Sequence, residues 1–473
     1  MPASYLTDFR FGYGAFAGRP ELSSMAMPGN DAARYPRLDG SAETISDIQS
    51  KRIDNARLRK KGNTASYRRA AGIFNRRVRE HYLRNADARL RFTVKSGHPF
   101  FERLVYFWLN HFAVATKNQR SYMPFIAGFE NEAIRPYVDG SFREMFRAAG
   151  LHPAMLLSLS QNASVGPHSP RGLAGTRGLN ENLGRELLEL YSLGADGGYR
   201  QNDVIELALL LTGLRVEPHD GMVSYRLDIA EPGTRYVMGR SYGGMLRTRD
   251  QIYDALDDLA VHPSTARHIA RKLAGHFIAD DPPLDLLADL EAVFVESDGY
   301  LPAVYAVLLD YGHRAAPMQK VRTPLDFMIA GLRGTGASPQ ALNGYDPTGG
   351  ISEPNTMVDS MSGGMEAGIS RKARKRDHQL PRALVALSHE LWGSPGPDGF
   401  PDRNADWLHA DGLAGRLSWA ARIAHFVETP PQDFAREILG EVGSPQTFKI
   451  IGRAASREEA VALALMAPEF NRR

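Results

Sequence analysis

Between Phe101 and Val114 the apolar residues leave no polar stripe. Phe101, Leu104, Val105, Phe107, Trp108, Leu109, Phe112 and Val114 surround the axis of any helix they form, and such a helix is a buried one. His98-Pro99 supplies its start. From residue 100 onward the apolar spacing is mostly one-sided with a helical period, and it predicts helices near 141–149, 153–160, 179–193, 202–213, 248–261, 263–278, 283–297, 300–310, 321–333, 379–392, 411–427, 431–440 and 456–466. Pro153, Pro263 and Pro324 fall in the first turns, where the missing N–H is no loss. Alternation with a period of two occurs around 222–238, where Val223, Tyr225, Leu227, Tyr236 and Met238 flank Glu231-Pro232-Gly233-Thr234, the pattern of a β-hairpin. The predicted fold is all-α, a large helical domain with one small hairpin insertion.

The same pattern divides the chain. Residues 1–50, rich in Gly, Pro and Ser, read as an arm whose aromatic residues Phe9, Phe11, Tyr13 and Phe16 pack on the body. Residues 51–337 form a helical core. Residues 338–378 lose all periodicity and end in the basic run Arg371 to Arg376, as expected of a long flexible loop. Residues 379–473 return to helical spacing and are expected to pack on the core. Within 66–92, Arg68, Arg69, Arg76, Arg77, Arg79, Arg84, Arg89 and Arg91 interleave with Ile73, Phe74, Val78, Tyr82 and Leu83. That is a helix with one packed and one basic face, more simply solvated and ion-paired than ligand-binding.

Composition removes several chemistries. There is no cysteine, so disulfides, thiolate metal sites and a cysteine nucleophile are excluded. With 57 Lys plus Arg against 54 Asp plus Glu the net charge is only +3, and nucleic acid is not an expected partner. The most apolar segment, Leu104 to Ala115, is too short to cross a bilayer and contains Asn110 and His111, so no membrane span is expected. The first residues have no basic start followed by an apolar run, which leads to a cytoplasmic expectation.

The densest polar pattern is Leu179-Asn180-Glu181-Asn182-Leu183-Gly184-Arg185-Glu186-Leu187-Leu188-Glu189-Leu190-Tyr191. On a helix it gathers Glu181, Asn182, Arg185, Glu186 and Glu189 on one face and leaves the leucines and Tyr191 on the other. Exposed, the Glu181–Arg185–Glu189 ladder is a modest surface feature. In a cleft, crowded carboxylates drive one another's pKa apart and make an acid/base pair. Asn110 and His111, polar groups inside the most apolar helix, each need a partner, and a His facing a carboxylate is one way to build a general acid/base. Glu102 and Arg103 suggest an ion pair. Ser164, His168 and Ser169 lie in a Gly/Pro-bounded loop without a nucleophile elbow. His152-Pro153 and His262-Pro263 read as helix starts, and His268 and His276 flank Lys272 without a metal-binding spacing. No phosphate loop or dinucleotide fingerprint occurs, so no metal and no cofactor is expected.

Phe9-Arg10-Phe11-Gly12-Tyr13-Gly14, the run Glu102 to Phe112, His152-Pro153-Ala154-Met155-Leu156, Ser164-Val165-Gly166-Pro167, the acidic helix, Leu211-Thr212-Gly213, His262 to Pro283 and Pro468-Glu469-Phe470 stand in an order that closely resembles the bacterial DUF 1800 family over nearly the whole chain. The resemblance implies a largely helical bacterial protein without an established activity. It also implies a DUF 1501-type partner, a relative of sulfatases and phosphatases, with work on a glycan or a sulfated or phosphorylated polymer. Many members are exported, which weighs against the cytoplasmic expectation. The chain departs from the family pattern at Tyr191 and Ala230, where histidines are common, at Ser160, where an Asp is expected, and at Leu214, where Trp is common.

Two functions fit this pattern. In one, a hydrolase-like acid/base enzyme uses Glu181 as acid or base and Glu186 or Glu189 as the second carboxylate. Arg185 and Asn182 orient the substrate and His111 supports, while Asn110, His168 and Tyr191 complete the binding surface. In the other, the acidic helix is a structural network in a non-catalytic binding or assembly protein, whose basic loop meets an acidic partner.

Overall fold

The structure, a computed structural model, describes residues 5–14, 17, 25–29, 33–62, 64–116, 122–175, 178–244, 248–314, 318–338 and 378–473. Phe16 and almost all of the expected loop 338–378, with its basic run, lie outside them. The helices, in chain order, are α1 (Tyr5–Phe11), α2 (Ser41–Lys60), α3 (Thr64–Lys95), α4 (Pro99–His111), α5 (Phe125–Phe129), α6 (Phe142–Gly150), α7 (Pro153–Ser158), α8 (Pro170–Leu173), α9 (Asn182–Glu189), α10 (Gln201–Leu210), α11 (Asp250–Ala260), α12 (Pro263–Phe277), α13 (Leu284–Glu296), α14 (Leu301–Arg314) and α15 (Pro324–Thr335). Further helices follow between Gln379 and Met466. The chain is mostly α, as its periodicity predicts.

Every residue of α4 except Asn110 is buried, which the all-round apolar pattern demands. Two of those buried residues are charged, and their partners determine how neighbouring elements sit. Glu102 receives two bonds from Arg135, at 2.8 Å each, and one from Thr93 at 3.2 Å. Arg135 also reaches Glu130 at 2.8 Å, while Arg89 from α3 lies 3.3 Å from the other oxygen of Glu130. The expected Glu102–Arg103 pair does not form. Adjacent helical residues point about 100° apart, so Arg103 turns the other way and binds the carbonyls of Arg10 at 2.6 Å and Gly12 at 3.2 Å. That bond fastens the N-terminal segment, and Phe11 packs on Phe100 and Phe277 with ring centroids 5.7 Å away in each case. Residue 50, the expected end of the arm, falls inside α2, which runs on to Lys60 and packs on α3.

The basic face of α3 is ion-paired: Arg77 meets Asp47 at 2.8 Å, Arg91 meets Asp87 at 2.5 Å, and Arg84 meets Asp39. Helices α12, α13 and α14 pack in sequence order. All of α15 but Thr335 is buried, started by a reciprocal Thr323–Asp326 cap. Trp419 of helix Ala410–Ala424 lies so close to Gly331 that a Cβ there would sit 2.6 Å from the indole. Among the described residues no helix is long and apolar enough to cross a membrane.

The strands differ from the single predicted hairpin. Val223–Tyr225 (β2) pairs with Leu214–Val216 (β1), and Arg235–Val237 (β3) pairs with Arg240–Tyr242 (β4), both antiparallel. The Glu231–Thr234 segment therefore joins two hairpins and closes neither. The tight turn is Met238-Gly239, both with positive φ (50° and 76°), the requirement of a type I′ turn. Met-Gly is a weak signal for that turn, whereas Glu-Pro-Gly-Thr is a conspicuous one.

Candidate functional site

The leucines of α9 do what their spacing predicts: Leu183, Leu187 and Leu188 are buried, and the polar face is turned outward and partly exposed. Glu181 stands at the N-cap position and accepts from Arg185 at 3.0 Å and Gln201 at 2.8 Å. Asn182 is exposed. Glu189 accepts the Tyr199 hydroxyl at 3.0 Å. Glu186 receives no hydrogen bond from a described side chain. Burial first, then the neighbouring Glu189, push its carboxyl up to about 7, with Asp398 adding and Arg185 opposing.

The helix ends earlier than predicted, and the carbonyls just past its end are bound from outside. His268 of α12 donates from Nε2 to the Leu190 carbonyl at 3.0 Å, and His111 of α4 donates from Nε2 to the Tyr191 carbonyl at 3.2 Å. The Tyr191 hydroxyl returns to the Ala113 carbonyl at 3.0 Å. His111 therefore faces a backbone oxygen and not a carboxylate of α9. A carbonyl only accepts, so the proton sits on Nε2 and Nδ1 presents a lone pair. That Nδ1 is buried without a partner among the described residues. Burial, then the charge of Lys272, hold His111 well below the ordinary imidazole value, so the ring is neutral.

His111 and Asn110 line a cavity of about 270 Å³ between α4, α12 and the segment 398–403. The segment is held by Asn110, whose amide donates to the Phe400 carbonyl at 3.0 Å and accepts from the Phe400 N–H at 2.7 Å. Gly399, at φ +88°, lets the chain pass: a Cβ would lie 2.4 Å from the Asn110 carbonyl. Asn110 thus positions a wall of the cavity. Asp402 is fixed by His276 at 2.8 Å and Arg473 at 3.3 Å, and Lys320 by Asp280 at 2.6 Å. Lys272, one helical turn from both His268 and His276, also lines the cavity and has no hydrogen bond or ion pair with any described residue. Burial lowers its ammonium to about 8, against the opposing pull of Asp402 and Asp398. Glu181, Glu186 and Glu189 are not in the lining; Asp398, which is, is the cavity residue that Glu186 feels. Sequence reasoning missed Lys272, Asp398 and Asp402 because their only signal is proximity across more than a hundred residues.

The other singled-out residues gather elsewhere. His168 is exposed and bonds Glu231 through Nδ1 at 2.6 Å, with its N–H 2.9 Å from the second oxygen. Ser164 accepts the Asn180 N–H at 3.1 Å, and Ser169 caps α8. Those serines are committed to the backbone. A second cavity, of about 540 Å³, is bordered by Ser41, His152 and Glu132. Both Ser41 (3.2 Å) and Glu132 (3.0 Å) meet Nε2 of His152, whose Nδ1 accepts the Ala154 N–H. The proton is therefore on Nε2, and the ring has no lone pair free to activate Ser41. Among the described residues no group of three or more His, Asp or Glu side chains is arranged to hold a metal ion.

The model of a family described as a protein of unknown function, DUF1800, matches residues 10–472. No curated protein and no solved structure matches the chain.

Proposed function

We propose, for a chain that belongs to the DUF1800 family of proteins of unknown function, an acid/base hydrolase-like activity on a glycan or related polymer, worked from the cavity between α4 and α12 and the adjoining face of α9. The observation that carries it is the pairing, in one cavity lining, of a buried imidazole lone pair at His111 Nδ1 with the unpartnered ammonium of Lys272. A hydroxyl or a water satisfies both, donating to one and accepting from the other. In this role His111 Nδ1 accepts the hydrogen bond that orients the attacking water, and Lys272 steadies the negative charge that develops on the oxygen. Glu186, protonated to a useful fraction near neutrality, supplies the proton to the leaving oxygen. Glu189 is the second carboxylate, and Glu181 anchors the face through Arg185 and Gln201. The substrate class rests on the family resemblance and its DUF 1501-type associate.

The test is reducing-end release from a panel of neutral, sulfated and phosphorylated polysaccharides. On any polymer the wild type cleaves, Glu186→Gln and His111→Gln are expected to lower the rate by roughly 100-fold or more, and Glu181→Gln by far less. Wild-type rates in all three variants would assign the chemistry to other residues, and cleavage of no polymer in the panel would leave the non-catalytic assembly role as the better reading.

A further inference from the structure

The chain has ten lysines, and Lys272 stands apart from the others that line or brace the fold. Lys320, in the same cavity, is tied to Asp280 at 2.6 Å, and Lys51 is tied to Asp47 at 2.5 Å. Lys272 has no such partner among the described residues. Space is kept open one turn away, at Gly275, where an added Cβ would find no atom within 4 Å. Phe107 and Phe400 provide apolar walls. Lys272, Lys320 and Arg403 are balanced in the lining by Asp280, Asp398 and Asp402, so the cavity has no net field to hold an anion. The free nitrogen of His111 is an acceptor only, which also disfavours an anion oxygen. An amine beside a buried base, in a partly apolar pocket, is the arrangement that captures a carbonyl carbon.

We propose that Lys272 is a covalent site for a small aldehyde or ketone, held in the cavity as an imine with His111 Nδ1 relaying the proton. The amine lone pair forms a bond to the carbonyl carbon while the carbonyl electron pair moves to oxygen. His111 Nδ1 takes the proton released by nitrogen and passes it to that oxygen, giving a carbinolamine. Loss of the hydroxyl as water, with the second nitrogen proton, leaves C=N. Carbonyl and amine become imine and water, with no change of oxidation state, and addition of water reverses the reaction. Lys272 held to about 8 leaves roughly a tenth of the side chain as free amine at neutral pH.

Capture is read without turnover, so the hydrolytic proposal and this one fail separately. The full-length protein is treated briefly at pH 7 with propionaldehyde and cyanoborohydride, which reduces any imine to a stable propyl-lysine, and the modified lysines are mapped by mass spectrometry. Lys272 is expected to be labelled about tenfold faster than exposed Lys449. Lys272→Arg should leave only the slow labelling of the remaining lysines, and His111→Gln should slow labelling at Lys272 while leaving Lys449 unchanged. Labelling of Lys272 no faster than of Lys449 would overturn the proposal, and unchanged labelling in His111→Gln would remove the proton relay.

Discussion

His111 donates from Nε2 to the carbonyl of Tyr191 at 3.2 Å, and that bond fixes the tautomer that leaves Nδ1 as a buried lone pair. Burial and the charge of Lys272 both disfavour protonation. His111 is therefore expected to keep the Nε2-protonated neutral form through the range in which an ordinary imidazole takes up its proton. Two-dimensional imidazole nitrogen NMR checks this directly; a protonated Nδ1 at pH 6 would contradict it.

His389 lies 1% exposed, in contact with Tyr106 at 2.9 Å, and burial holds its pKa down to about 4. The unfolded chain protonates the same residue near 6.5. As pH falls from about 6.5 toward 4 the unfolded state therefore gains a proton that the folded state refuses, and stability drops by about 1.4 kcal/mol per pH unit from this group. Urea denaturation at pH 7.5 and 5.0 should show a lower midpoint at pH 5.0, and His389→Gln should reduce the difference, the rest coming from other buried histidines such as His268 and His276, also held down to about 4. An unchanged pH dependence in the variant would show that His389 is not a source of it.

Glu102 and Arg135 are both fully buried and joined by two 2.8 Å bonds. Replacing Arg135 with Met strands a carboxylate in the core and is expected to cost about 3–5 kcal/mol. Replacing Glu102 with Leu as well should recover a large part of that loss, because the uncompensated charge is gone. Denaturant midpoints of the single and double variants decide it; a double variant less stable than the single would contradict the account.

Asn110→Ala removes both bonds to Phe400 and is expected to destabilise by about 1–3 kcal/mol. The Phe400 amide should then exchange its hydrogen much faster, while amides in α15 keep their protection. Equal exchange at Phe400 in the variant and the wild type would mean that the segment is held by something else.

How far the sequence reached is clear from α9 and the cavity beside it. The 3.6-residue period correctly separates buried Leu183, Leu187 and Leu188 from the polar face, because burial along a single helix is a local property. The same period overruns the end of the helix, where the chain beyond Glu189 is held by histidines from α4 and α12. His152 and His262 are legible as helix starts: each accepts the backbone N–H two residues on, at 3.1 Å, ahead of a proline. Lys272 is visible in the sequence only as a residue between two histidines. Its value depends on which carboxylates stay out of contact, and on a segment at 398–403 whose place is set by Asn110, relations that no local pattern encodes.

The acid/base role of the site is tested most directly by the pH–rate profile of polymer cleavage in the wild type and in Glu186→Gln. Glu186 must be protonated to act as an acid, and its carboxyl is pushed up to about 7. The wild-type rate is therefore expected to fall as pH rises through about 7, roughly tenfold per unit, and more steeply above about 8 where Lys272 also loses its proton, with the limb near 7 absent and the rate low in the variant. A wild-type rate that stays level from pH 6 to pH 9, or a variant that retains the same limb and rate, would contradict the account.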